Sequence, residues 1–180
     1  MIYNVAGLLK AHTGETRTED LEDWPELGEP DVQLLTPLAG RLRLTRDFNG
    51  VTVMGDLSTR IAVPCARCLS PAESEVSVTI EEHFRPTAYL PGGPPLERDV
   101  DADPSTDIDA HHQVDLGDVL RQALLLAVPL HPLCRPDCKG LCPNCGQDWN
   151  IGRCDCAPEP DPRWQALRTL LDDERSKQTS

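Results

Sequence analysis

Val51, Val53, Leu57, Ile61 and Val63 share one parity along the chain, while Thr52, Asp56, Ser58 and Arg60 take the other. A period of two predicts a strand with one buried and one wet face. Just upstream, Leu42 and Leu44 alternate with Arg41 and Arg43, and Asp47-Phe48-Asn49-Gly50 joins the two runs. Asn-Gly is a strong hairpin signal because both residues tolerate positive φ. Val76, Val78, Ile80 and Phe84 predict a third strand. Cys65 and Cys68 then fall in a strand connection at one end of the sheet. Further on the period changes. Val119, Leu120, Ala123, Leu124 and Ala127 predict a helix that Asp115 caps and Pro129 ends, its leucines serving as core. Asp161-Pro162 opens a last helix with Trp164, Leu167, Leu170 and Leu171 on one stripe. The fold class expected is α+β: an antiparallel β-sheet with a few helices and a C-terminal cysteine-rich zinc-binding segment.

Two stretches lack such patterning. Residues 11–31 carry eight acids against the single Arg17 and read as a loop or linker, or alternatively as a solvated helix face. A second acidic stretch, Glu97 to Asp115, follows Pro91-Gly-Gly-Pro-Pro and reads as a domain boundary or long loop. The expected organisation is therefore 1–90 (N-terminal strand, acidic arm and sheet with its CxxC), 91–114 (acidic Pro/Gly-rich linker or loop) and 115–180 (helix, cysteine cluster, C-terminal helix).

Aromatic residues make up only 4% of the chain and prolines number 17, so a large continuous core is not expected and a staple is. The formal charge of −13 disfavours a polyanion as general partner and favours a basic protein. The longest apolar run, Leu124 to Leu130, is far below the roughly 20 residues of a membrane span. The N-terminal residues lack the basic and apolar regions of an export signal, so a reducing cytoplasm is expected.

Cysteine changes the picture most. Eight are present, six of them between Cys134 and Cys156. In a reducing compartment thiols remain available for metal, and a tetrahedral Zn2+ site takes four. Cys142-Pro-Asn-Cys145-Gly146 is a strong knuckle signal; with Cys154-Asp-Cys156 it makes one candidate site. Cys65, Cys68, Cys134 and Cys138 make the second, with His131 as a possible substitute ligand and Arg67, Arg135 and Lys139 beside the sulfurs. Two Zn2+ are expected. Iron–sulfur ligation and a redox pair are the rivals, but Cys65-Ala-Arg-Cys68 lies between strands, not at the helix N-terminus that lowers a redox thiol. No HExxH, Walker loop, GxGxxG or GxSxG occurs, and four thiolates leave no open metal position, so a non-enzyme is expected.

Cys65-Ala-Arg-Cys68-Leu69, the apolar helix ending at Pro129, Cys134-Arg-Pro-Asp-Cys138-Lys-Gly-Leu-Cys142-Pro-Asn-Cys145-Gly146 and Cys154-Asp-Cys156, in that order, resemble the bacterial YceD family over residues 30–172. The resemblance implies a role in accumulation of large-subunit ribosomal RNA. Some members of that family keep the first pair but lack the later cluster, so the cysteines divide into two separable groups. The chain departs from the family at Trp149, where a Leu is expected, and in its acidic arm. The function expected is a non-catalytic assembly or accumulation factor that binds large-subunit rRNA or a basic ribosomal protein, with no membrane or small-molecule substrate. Arg41, Arg43, Arg46 and Arg60 are the candidate contacts, unless they solvate a sheet face or pair with the acidic arms. The alternatives are an acidic zinc-ribbon chaperone or interaction module for a basic protein, and a thiol or metal redox sensor.

Overall fold

The computed structural model describes residues 1–87, 103–156 and 162–164. The chain forms two compact units, Met1–Pro136 and Asp137–Ser180. Among the described residues the first unit contains β1 (Ile2–Asn4), a short α1 (Ala6–Leu9), β2 (Thr16–Asp23), β3 (Gln33–Leu34), β4 (Leu38–Arg46), β5 (Val51–Pro64), β6 (Pro71–Pro86), β7 (Asp107–Ile108), β8 (Gln113–Asp115) and α2 (Gly117–Ala127).

The three strands read from the alternating pattern form the centre of one sheet, ordered β1-β8-β7-β6-β5-β4-β2, with β3 also on β5. The sheet is mixed rather than wholly antiparallel, because β6 and β7 run parallel while the other pairs are antiparallel. A parallel pair, unlike an antiparallel one, cannot be joined by a tight hairpin turn.

Leu42, Leu44, Val51, Val53, Leu57, Ile61, Val76, Val78, Ile80 and Phe84 all point inward, joined by Val119, Leu120 and Leu124 from α2. Each such side chain contributes roughly 1.5–3 kcal/mol by leaving water. The helix begins one residue later than a cap at Asp115 would place it. Leu116 is the N-cap and makes no side-chain cap bond, while Asp115 Oδ1, one position earlier, accepts the Gly117 amide at 2.9 Å. It stops where Val128 turns extended ahead of Pro129 (ψ 129°).

Two acidic stretches differ from expectation. Thr16–Asp23 is a strand rather than a loop, paired over its length with β4 at the sheet's edge. Leu21 is its one buried side chain, and the β4 pairing outweighs the strand's polar composition. Charged side chains on such an edge also discourage pairing with other chains. Part of the second stretch likewise joins the sheet as β7 and β8. The expected final helix lies outside the described residues, apart from a single turn at Pro162–Trp164.

The β4–β5 connection is made differently from the expected Asn-Gly turn. Asn49 and Gly50 are not among the positive-φ residues. Gly50 is required by space instead: a Cβ there would lie 2.0 Å from the Phe84 carbonyl oxygen.

Candidate metal centre

The structure brings the eight cysteines together as two groups of four, Cys65–Cys68–Cys134–Cys138 and Cys142–Cys145–Cys154–Cys156, each with its sulfurs within 4.8 Å of one another. Tetrahedral Zn–S bonds of about 2.3 Å place sulfurs about 3.8 Å apart, so both groups fit a metal of that size. Soft thiolate donors suit zinc or iron–sulfur chemistry and not Mg2+ or Ca2+. His131 belongs to neither group.

Two similar knuckles present the first pair of each group. After β5 the Leu69 amide donates to the Cys65 carbonyl at 3.0 Å; after Leu141 the Gly146 amide donates to the Cys142 carbonyl at 2.9 Å. The residue closing each turn is left-handed, Leu69 at φ 63° and Gly146 at φ 73°. The Ala66 amide donates to the Pro132 carbonyl at 2.8 Å, which holds the segment after α2 against the first knuckle. Cys68 and Cys134 are then 3.5 Å apart at sulfur, far beyond an S–S bond. Cys65 and Cys68 are buried. The Cys134 amide lowers the Cys65 thiol to about 6, against the opposing effect of burial, with the Arg67 amide and Cys68 helping.

In the second group the Trp149 side chain leads the groups that lower Cys154 to about 6, followed by the Cys156 amide and the Cys142 thiol. Cys156 is pushed up to about 12, chiefly by Cys145 and then Cys154. Crowded sulfurs resist losing every proton at once, and a cation among them would remove that resistance. Asp137–Ser180 contributes no buried aliphatic or aromatic side chain among its described residues, where only Cys138, Gly140 and Cys142 are buried. Apolar burial among those described residues thus offers little stability.

The four arginines do not make a common basic surface. Arg41 pairs with Asp20 at 3.0 Å and Arg60 with Glu73 at 3.9 Å. Arg43 is exposed. Arg46 corrects the expectation of an outward contact: it is only 9% exposed and donates from Nη1 to the Asp47 and Gly50 carbonyls, bracing the turn. Its parity follows Leu42 and Leu44, so its inward direction was readable. Asp20, Glu22, Asp56, Glu73, Glu75 and Glu81 share the exposed face with Arg41, Arg43 and Arg60, which makes that face acidic on balance. Sequence reasoning missed Asn150, whose Nδ2 donates to Cys138 Sγ at 3.5 Å. Among the described residues no helix is long and apolar enough to cross a membrane.

The family model described as large ribosomal RNA subunit accumulation protein YceD matches residues 53–171, a span containing all eight cysteines. An uncharacterized protein of Mycobacterium tuberculosis (strain ATCC 25618 / H37Rv) is 35% identical over 142 residues, covering 72% of this chain and 60% of its own length. An uncharacterized protein of Mycobacterium leprae (strain TN) is 30% identical over 139 residues, covering 75% of this chain and 59% of its own. A Zea mays protein named large ribosomal RNA subunit accumulation protein YCED homolog 1, chloroplastic, is 27% identical over 154 residues, covering 73% of this chain and 53% of its own. The chain thus spans between half and two thirds of the length of these relatives. No solved structure matches it.

Proposed function

This chain belongs to the YceD family, and from that premise we propose that it is a non-catalytic, zinc-stapled factor supporting large-subunit ribosomal RNA accumulation by binding a basic ribosomal protein in the cytoplasm. The pair of all-cysteine groups carries the reading. Four thiolates close a zinc sphere and leave no position for a reacting water, so each metal serves folding and not chemistry. Such a staple suits a unit whose described residues bury so little apolar surface.

Protein is favoured over RNA as the direct partner because Arg41 and Arg60 already face Asp20 and Glu73. A phosphate backbone would have to displace those carboxylates and meet further acids on the same face, whereas a lysine- or arginine-rich protein would find a complementary field.

Two measurements test this. A tagged chain should retain a basic ribosomal protein after ribonuclease treatment, and retention should weaken as salt rises. Loss of the bound material with ribonuclease would move the reading to RNA. A deletion strain should show a lowered ratio of large to small subunits; a normal ratio in both cold and warm growth would refute the ribosomal role.

A further inference from the structure

Asp148, Trp149 and Asn150 lie on one turn that reaches the Cys138 thiol and is tied to the Cys142 knuckle. The Asn150 Nδ2 donates to Cys138 Sγ at 3.5 Å, while its Oδ1 accepts the Lys139 amide at 2.9 Å. Asp148 holds that carboxamide from the other side, accepting from Nδ2 at 2.7 Å and from the Asn150 amide at 2.8 Å. Next along the chain, Trp149 gives its amide to the Gly140 carbonyl at 3.0 Å. The second knuckle fixes the same turn: Leu141 bridges Asp148, and the Cys142 amide donates to the Gln147 carbonyl at 2.9 Å. One turn is therefore bonded to Cys138 of the first group and to the knuckle that carries Cys142 of the second.

We propose that this turn couples the two metal sites, so that filling the Cys142 group raises the affinity of the Cys65 group through Asn150. The inference rests on the reading that both groups hold zinc. A four-thiolate zinc centre carries a formal charge of −2, and an N–H donor on a sulfur relieves part of it. Closing the second group orders residues 142–149, which orients Asn150 and keeps its donor on Cys138. Without that closure the donor is free to turn away. Because linkage is reciprocal, metal in the Cys65 group strengthens the Cys142 group by the same factor. Ligand identities alone would leave the two sites independent.

The test uses the full chain loaded with 113Cd2+, whose resonances report each thiolate site separately, titrated with a chelator. Cys142→Ser assigns the two resonances. In the wild-type protein both should disappear over one chelator range. Asn150→Asp keeps the acceptor for the Lys139 amide but removes the donor to Cys138. It should shift the Cys65-group resonance, and that resonance should be lost at roughly tenfold lower chelator than the other, the usual scale for losing an outer-shell partner. Trp149→Phe should shift the other resonance. Independent loss of the two wild-type resonances, or unchanged joint loss in Asn150→Asp, would overturn the coupling while leaving the metal sites intact. Absence of any thiolate-bound cadmium resonance would overturn the metal reading and the coupling with it.

Discussion

Leu69 closes its knuckle on Cys65 with a 3.0 Å hydrogen bond while holding φ at 63°, a conformation its counterpart Gly146 adopts without a Cβ. Left-handed backbone costs an L-residue roughly 1–2 kcal/mol, and the Leu69 side chain is 67% exposed, so packing within the chain returns little of it. Leu69→Gly should leave stability unchanged or raise it by up to about 1 kcal/mol, the relief being offset by glycine's larger unfolded entropy. The β-branched Leu69→Val should lower stability. Denaturant unfolding of the metal-loaded chain checks both; a destabilised Leu69→Gly would mean that the leucine packs after all.

The β4–β5 turn separates close approach from backbone freedom. Gly50→Ala would drive a Cβ into the Phe84 carbonyl and should cost several kcal/mol or prevent folding. Asn49→Ala should change stability by less than about 0.5 kcal/mol, as at ordinary surface positions. If the two substitutions proved equally costly in thermal unfolding, the turn would depend on positive φ.

Truncating Arg46 should cost more than truncating Arg41. Arg46→Met leaves the Asp47 and Gly50 carbonyls without their guanidinium donor and should cost about 1–3 kcal/mol. Arg41→Ala removes an ion pair whose side chains are 73% and 81% exposed, so it should cost under about 1 kcal/mol and less in high salt. A double-mutant cycle of Arg41 with Asp20 measures the latter directly; a coupling well above 1 kcal/mol would contradict it.

Metal removal should act on one part of the chain first. Protein purified under reducing conditions without chelator should contain two Zn2+ by elemental analysis, and iron in their place would refute the zinc reading. Chelation should raise hydrogen exchange across 138–156 while the β4, β5 and β6 amides stay protected. Those strands have a hydrophobic core of their own, whereas the described part of the cysteine-rich unit buries only Cys138 and Cys142 from its apolar set.

The sheet's centre was legible because burial on one face imposes a period of two over β4, β5 and β6. The division of the cysteines into two sets of four was legible because spacing limits which thiols can meet. Thr16–Asp23 was not, since its place depends on backbone pairing with β4 and its composition matches a solvated loop. The same holds for β7 and β8, whose few residues carry too little pattern to distinguish from their acidic surroundings. Arg46 was misread by residue type although its parity was available. Asn150 left no signal, because a carboxamide reaching a sulfur depends on a turn that only the folded chain defines.

Cys68 and Cys134 stand 66 positions apart, whereas the second group lies within Cys142–Cys156. Closing a loop becomes less favourable as it lengthens, although only logarithmically, and the longer closure also waits for β6 and α2 to bring Pro132 back to Ala66. A newly made chain should therefore acquire its metals in a fixed order: the C-terminal group loads as soon as its own residues are free, and the group beside the sheet only after the sheet has formed. Occupancy of the Cys65 group would then record completed folding of the first unit.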